Sequence, residues 1–249
     1  MKNFIFVFII FSSFNLFAAT EIKDAPTHKW SFDGLTGKFD ISSIQRGYKV
    51  YREICAGCHS MNLLYYRDLI DIGFSDDEVK AIAAEYTVLD GPNDDGEMFE
   101  RDAKPSDRFV SPFANEQEAR ASNNGSYPPD LSVITKTKKN GPDYIYNLLM
   151  GYTELPEGFE LGEGMYYNKW KEGHQIAMAQ PLDEGYVDYD DGTENNLPQL
   201  SKDITNFLVW AAEPELEERK RMGIKVLLFF LIAGALVYIV KNNLWRKVH

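Results

Sequence analysis

The 249-residue sequence predicts a mainly α-helical domain with long loops, exported across a membrane and held there by one C-terminal transmembrane helix. Three observations predict this. The N-terminus has the layout of a secretory leader, an apolar run near the C-terminus is long enough to cross a bilayer, and between them apolar residues recur at helical spacing, interrupted by stretches rich in Gly, Pro, Asn and Asp. With 44% apolar and 26% charged residues, the chain can bury one sizeable core.

The leader, MKNFIFVFIIFSSFNLFAAT, carries Lys2, an apolar run from Phe4 to Phe11 and small residues at Ala18 and Ala19. This makes residues 1–18 a signal peptide with cleavage near Ala18, and 19–215 the exported domain. SSIQRGYKVYREICAGCH places Ile44, Tyr48, Tyr51 and Ile54 or Cys55 on one helical face, so two cysteines sit where a helix runs into a tighter turn. SDDEVKAIAAEY opens with a capping box of Ser75 and Glu78 and aligns Val79, Ile82, Ala83 and Tyr86. From Asp90 to Asp130 the pattern breaks down, which predicts long irregular loops rather than strands.

GPDYIYNLLMGY resumes helical spacing through Ile145, Leu148, Leu149 and Tyr152, with Pro142 in the first turn. A further helical face is formed by Leu200, Ile204, Phe207, Leu208 and Ala211, and Pro214 marks a break. The segment 216–241 then carries MGIKVLLFFLIAGALVYIVK (Met222 to Lys241), whose only internal charge, Lys225, lies near its start and can reach the interface. This is a membrane anchor. Basic residues flank both ends, so the leader orients it, leaving 242–249 as a short cytoplasmic tail. Four or so helices joined by long loops make a small hydrocarbon core for about 200 residues, and a large prosthetic group would fill the deficit.

The formal charge of -12, with acidic runs at Asp90 to Glu100 and Asp183 to Glu194, excludes nucleic acid as a partner and suits a basic protein. The only two cysteines, Cys55 and Cys58, stand in CAGCHS. A disulfide here would close a tiny loop and restrict the unfolded chain little. A redox dithiol belongs beside a βαβ pattern, which is absent from the sequence pattern. Zinc would lack a fourth ligand at any familiar spacing. Covalent haem attachment remains: two thiols one turn apart reach two vinyl groups, and His59 behind them is aimed at the iron. For the opposite axial position, Met178 in HQIAMAQPL lies between small residues that let backbone approach a flat ring, and His174 is its rival.

At these residues the sequence resembles the cytochrome c1 family, the haem-carrying subunits of the cytochrome bc1 complex. The resemblance runs in order through RGYKVYREICAGCHSMNLLYYRDL, DGPNDDGEMFERDAKPSDRF, EARASNNGSYPPDLS, DYIYNLLMGY, IAMAQPL, YDDGT and FLVWAAEPELEERKRMG. It implies a class I cytochrome-c-like domain with one haem c on Cys55 and Cys58, and axial ligands His59 and Met178. It also implies a propionate partner at Arg120 and a haem wall at Pro128 and Pro129. The implied role is one-electron transfer from the Rieske iron-sulphur protein to a cytochrome c, with cytochrome b handling quinol, in a complex that the resemblance implies is a dimer. The chain by itself then has no bond-making catalytic site. The location implied is a bacterial inner membrane with the haem domain in the periplasm. The family's methionine loop is richer in proline than MAQPL, which leaves open what stiffens it here. Outside this reading stand a haem enzyme with an open sixth site, a tethered thiol oxidoreductase, and a monohaem carrier outside the bc1 complex.

Overall fold

A computed structural model describes residues 25–246. The expected signal peptide (1–18) and the last residues of the expected tail (247–249) lie outside the described residues. Two long helices organise the domain: α1 (Ile41–Glu53) and α5 (Leu197–Ala212) pack against each other. Ile44, Tyr48 and Tyr51 of α1 meet Leu200, Ile204 and Phe207 of α5, all buried, with Tyr48 and Tyr51 rings 5.7 and 5.6 Å from that of Phe207. Each such side chain stabilises the core by about 1.5–3 kcal/mol through burial. Close approach requires Gly47, since a Cβ there would fall 2.0 Å from the Asp203 carbonyl oxygen.

A polar network is set into this apolar contact. Asp203 is fully buried, accepts from Ser43 Oγ at 2.5 Å and from Arg46 Nε at 2.9 Å, and is also held by Gln199. Burial alone would lower the Arg46 pKa, but its bonds to Asp203 and Asp191 outweigh that and hold it above its ordinary value.

The capping box expected at Ser75 and Glu78 is present at the start of α2 (Asp76–Ala84), and Val79, Ile82 and Ala83 are buried as expected. The expectation of loops without strands from Asp90 onward is corrected. Thr87–Asp90 (β1) and Phe99–Asp102 (β2) form a small antiparallel hairpin, and Glu116–Ser122 forms a short helix, α3. Four-residue strands that lie mostly exposed carry no apolar alternation for a sequence reading to find. What holds them is ionic: Arg101 reaches both Asp90 and Asp107, and Asn93 caps the turn by accepting from the Asp95 and Glu97 N–H groups.

Helix α4 (Gly141–Met150) has Pro142 in its first turn and buries Ile145 and Leu149. Two further pairs of residues, Tyr166–Tyr167 (β3) and Gln175–Ile176 (β4), form a second, minimal antiparallel ladder. After the break at Pro214, α6 (Leu216–Trp245) runs for 30 residues, with Leu227, Phe229, Leu231 and Val237 all exposed. Beyond its first turn this apolar helix finds no protein cover over an 18-residue window, which fits a membrane anchor. Six α-helices thus stand among the described residues, where four or so were expected; α3 is too short to show periodicity, and the anchor completes the set.

Candidate functional site

The cysteine pair sits where α1 gives way to a single 3-10 turn, Cys55–Gly57. The Cys58 and His59 N–H groups both donate to the Cys55 carbonyl, at 3.1 and 2.9 Å. Three residues per turn in this geometry bring positions i and i+3 to one side, and both thiols are free. Cys55 is half-buried and Cys58 exposed. Burial, with Cys58 adding to it, pushes the Cys55 thiol up to about 12, so it stands here as a neutral thiol.

His59 Nδ1 lies 2.8 Å from the Pro129 carbonyl oxygen. A carbonyl only accepts, so Nδ1 carries the proton and Nε2 keeps its lone pair. Burial lowers the imidazole pKa against the opposing pull of that bond and of Asp130, which favours the neutral ring a metal needs. The Pro129 carbonyl is itself fixed. Asp130 accepts from Ser60 Oγ and the Asn62 N–H, each at 2.8 Å, and Leu131 N–H donates to Ser60 O at 2.9 Å. Burial would raise the Asp130 carboxyl, but its donors, Ser132 first, outweigh that and hold it below the usual range.

A crevice of about 180 Å³ opens beside the exposed thiol, walled among others by Cys58, Ser60, Phe113, Tyr127 and Pro128. Free thiols on one turn, an imidazole nitrogen with its lone pair available, and a crevice walled by an aromatic ring and proline fit a porphyrin attached along one edge. Among the described residues, no three His, Cys, Asp or Glu side chains gather as a zinc site needs.

The structure brings Cys55, Cys58, His59 and Pro128 together. Arg120 flanks the crevice: its Nε bonds Glu116 at 2.8 Å, its Nη1 bonds Gly125 O at 3.0 Å, and its guanidinium lies 5.6 Å from the Tyr127 ring. Glu116 and Tyr127 are themselves crevice walls. Met178 is half-buried in the loop after β4 and is not among those walls. Its carbonyl accepts from the Tyr152 hydroxyl at 3.0 Å. The rival His174 is held in an aromatic cluster, stacked on Tyr167 at 6.0 Å with Nδ1 3.2 Å from Lys169 O.

Three contributors escaped the sequence reading. The Pro129 carbonyl has no sequence signal as a hydrogen-bond acceptor, and Pro129 was expected only as a wall. Tyr152 reads as one more residue on the α4 face, although it lies just past the helix end. Asp130, in PPDLS, could have been suspected as a turn former, since an aspartate often accepts from N–H groups two residues on; here it does so from Ser132 at 2.8 Å.

A family model described as the Cytochrome C1 family matches residues 30–248. The chain is 50% identical over 214 residues to "Cytochrome c1 1, heme protein, mitochondrial" of Arabidopsis thaliana, covering 86% of this chain and 69% of that one. It is 41% identical over 235 residues to "Cytochrome c1" of Rhodospirillum rubrum, covering 88% of this chain and 86% of that one. It is also 46% identical over 246 residues to "Cytochrome b/c1" of Bradyrhizobium diazoefficiens. That alignment covers 90% of this chain and 36% of the relative, so the chain spans about a third of that longer protein.

Proposed function

We propose, from the premise that this chain belongs to the cytochrome c1 family, that it is the haem-carrying subunit of a bc1-type quinol:cytochrome c oxidoreductase. It takes one electron from the Rieske iron-sulphur protein and passes it to a cytochrome c, beside cytochrome b in a dimeric complex. The observation that carries this reading is the His59 bond to the Pro129 carbonyl directly behind two free thiols on one turn.

Bound haem c supplies a one-electron couple at iron. The chain's own residues do the rest by holding position. Cys55 and Cys58 tether the porphyrin, and His59 presents Nε2 in an orientation locked by Pro129. Met178 would offer its thioether as a second donor, and soft sulphur there would favour the reduced metal and raise the potential. Pro128 walls the ring, and Arg120 has N–H groups to spare beyond its bonds to Glu116 and Gly125 for a propionate. No side chain has to make or break a bond, so the oxidoreductase activity belongs to the complex. Residues 1–18 are the signal peptide, 19–215 the periplasmic haem domain, 216–241 the anchor in the inner membrane and 242–249 the cytoplasmic tail.

Tyr152 answers what stiffens the methionine loop. Its hydroxyl fastens Met178 O, and the Gln180 side chain donates to Leu182 O at 2.9 Å, so side-chain bonds brace a loop poor in proline. Removing one such bond costs about 1 kcal/mol. Tyr152→Phe is therefore expected to weaken the methionine-to-iron charge-transfer band and to speed displacement of Met178 by added imidazole about fivefold. Unchanged values in both measurements would assign Tyr152 to packing alone.

The acidic surface divides into paired and free carboxylates. Asp190 pairs with Lys49 at 2.8 Å and Asp191 with Arg46 at 2.7 Å, so two of the six carboxylates in the Asp183 to Glu194 run are committed to the fold. The Thr193 backbone N–H, and then Arg46, hold Asp191 down to about 2. Asp94, Asp95, Glu97 and Glu100 on the hairpin lie exposed, as do Glu154, Glu157, Glu160 and Glu163 in the segment leading toward Met178. These are the carboxylates that would steer a basic acceptor. Reduction of a basic cytochrome is expected to slow about tenfold between low ionic strength and about 0.2 M salt. Neutralising Glu157 and Glu160 should flatten that dependence more than neutralising Asp190. A flat dependence in the unsubstituted protein would reject the docking role and leave the haem site untouched.

A further inference from the structure

We infer that the loop 31–38 is a second membrane contact, with Leu35 seated in the lipid interface beside the anchor helix. The inference rests on reading α6 as membrane-spanning. The loop is a closed turn: Lys38 N–H donates to Ser31 O at 2.9 Å and Asp33 N–H to Trp30 O at 3.1 Å. Gly34 has φ +71, and a Cβ at Gly37 would fall 2.0 Å from Asp33 O, so two glycines permit the turn.

The base of the loop is tied to the start of the anchor helix. At its base, Trp30 and Phe32 pack with Val209 and Leu216 in a small core of their own, and Phe39 N–H donates to Glu217 Oε1 at 2.9 Å. One step closer to the tip, Phe32 O and Gly37 O both accept from Lys220 Nζ. From Phe39 to Gly37, then, the partner on α6 advances from Glu217 to Lys220, toward the apolar part of the helix. Lys220 thus ties the neck of the turn two residues before the apolar run that opens at Met222, and Leu35 lies beyond that neck.

At that tip Leu35 is 75% exposed, more than any other large apolar side chain in the structure's described residues. A single exposed leucine needs no explanation by itself. One that is carried by a braced turn to the level where the anchor becomes apolar is placed to bury its side chain in the acyl boundary. Lys29 and Lys38, both exposed at the base of the same turn, suit anionic headgroups just above it. With Lys220 gripping the turn, the contact would fix the rotation of the haem domain on its anchor, which a single helix alone leaves free.

The test uses the full haem-loaded chain in nanodiscs of phosphatidylcholine and phosphatidylglycerol, with a nitroxide attached to Leu35→Cys. Collisions with oxygen, which partitions into lipid, are compared with collisions with a water-soluble nickel chelate. Labels at Leu231→Cys on the anchor and Leu89→Cys on the hairpin give the lipid and water limits. The proposal expects the oxygen-to-nickel ratio at position 35 to exceed that at 89 and approach that at 231. A ratio at 35 equal to that at 89, with 231 in lipid, overturns the loop contact alone; 231 in water overturns the anchor reading as well. Protection at 35 from both reagents also overturns it, by indicating protein cover. Thr36→Cys, on the same tip, repeats the measurement if the first variant fails to mature. Because haem occupies Cys55 and Cys58, one label per chain is expected; three would show that the haem reading has failed.

Discussion

With Met178 as the proposed sixth ligand, Met178→Leu is expected to abolish the methionine-to-iron charge-transfer band and to lower the midpoint potential by roughly 0.2 V, a fraction of the ~0.8 V over which axial ligands move haem potentials. The loss follows from what leucine lacks. It fills much the same volume without a soft donor, so the loop keeps its packing while the iron loses the ligand that favours its reduced state. The Tyr152 bond is made to the carbonyl of residue 178 and survives the substitution, so the effect is confined to the thioether. An optical redox titration of the haem-loaded protein and its variant makes the measurement. If band and potential stay as they were, Met178 is not the ligand; His174 would have to leave its contacts with Tyr167 and Lys169 to serve, or the position stands open. An open position would reopen the haem-enzyme reading.

Asp203→Ala destabilises the haem domain by about 3 kcal/mol, at the lower end of the cost of breaking a buried ion pair because Arg46 keeps Asp191. Asp203 is fully buried, and its loss strands Ser43 and Gln199 donors as well as two of the three Arg46 hydrogen bonds. Arg52→Ala breaks an ion pair made to Glu85 through one nitrogen, with side chains 37% and 47% exposed, and it should cost under about 1 kcal/mol. Urea unfolding followed by haem absorbance compares the two. Equal shifts in the two midpoints would mean that the buried network contributes no more than a surface pair. Since α1 leads directly into the Cys55 turn, loosening its contact with α5 should also raise the rate of haem-crevice opening.

The helices that carry the core were legible because their apolar residues repeat at helical spacing: Ile44, Tyr48 and Tyr51 on α1, and Leu200, Ile204 and Phe207 on α5. The haem-attachment motif was legible for a different reason, since its ligands are adjacent in the chain. Cys55, Cys58 and His59 fall within five residues, and local turn geometry alone sets their relation. Met178 rests on context and resemblance, and stays a proposal, because nothing local links it to His59 across more than a hundred residues.

What only the tertiary structure decided depends on backbone atoms and on pairing between distant segments. The proton on His59 Nδ1 is assigned by the Pro129 carbonyl, a group every residue possesses and no sequence pattern marks. The hairpin from Thr87 to Asp102 sets only Val88 against the core, and beyond its ladder it is tied by Arg101 and two carboxylates, Asp90 and Asp107. The acidic run near Asp190 looked free in sequence because charge is counted residue by residue, whereas Lys49 and Arg46 neutralise it from a helix some 140 residues away in the chain. The sequence by itself determined the long helices, the attachment turn and the anchor, whose physics is local periodicity and spacing. The tautomer, the brace on the methionine loop and the division of the acidic surface are long-range contacts, and the folded chain alone could decide them.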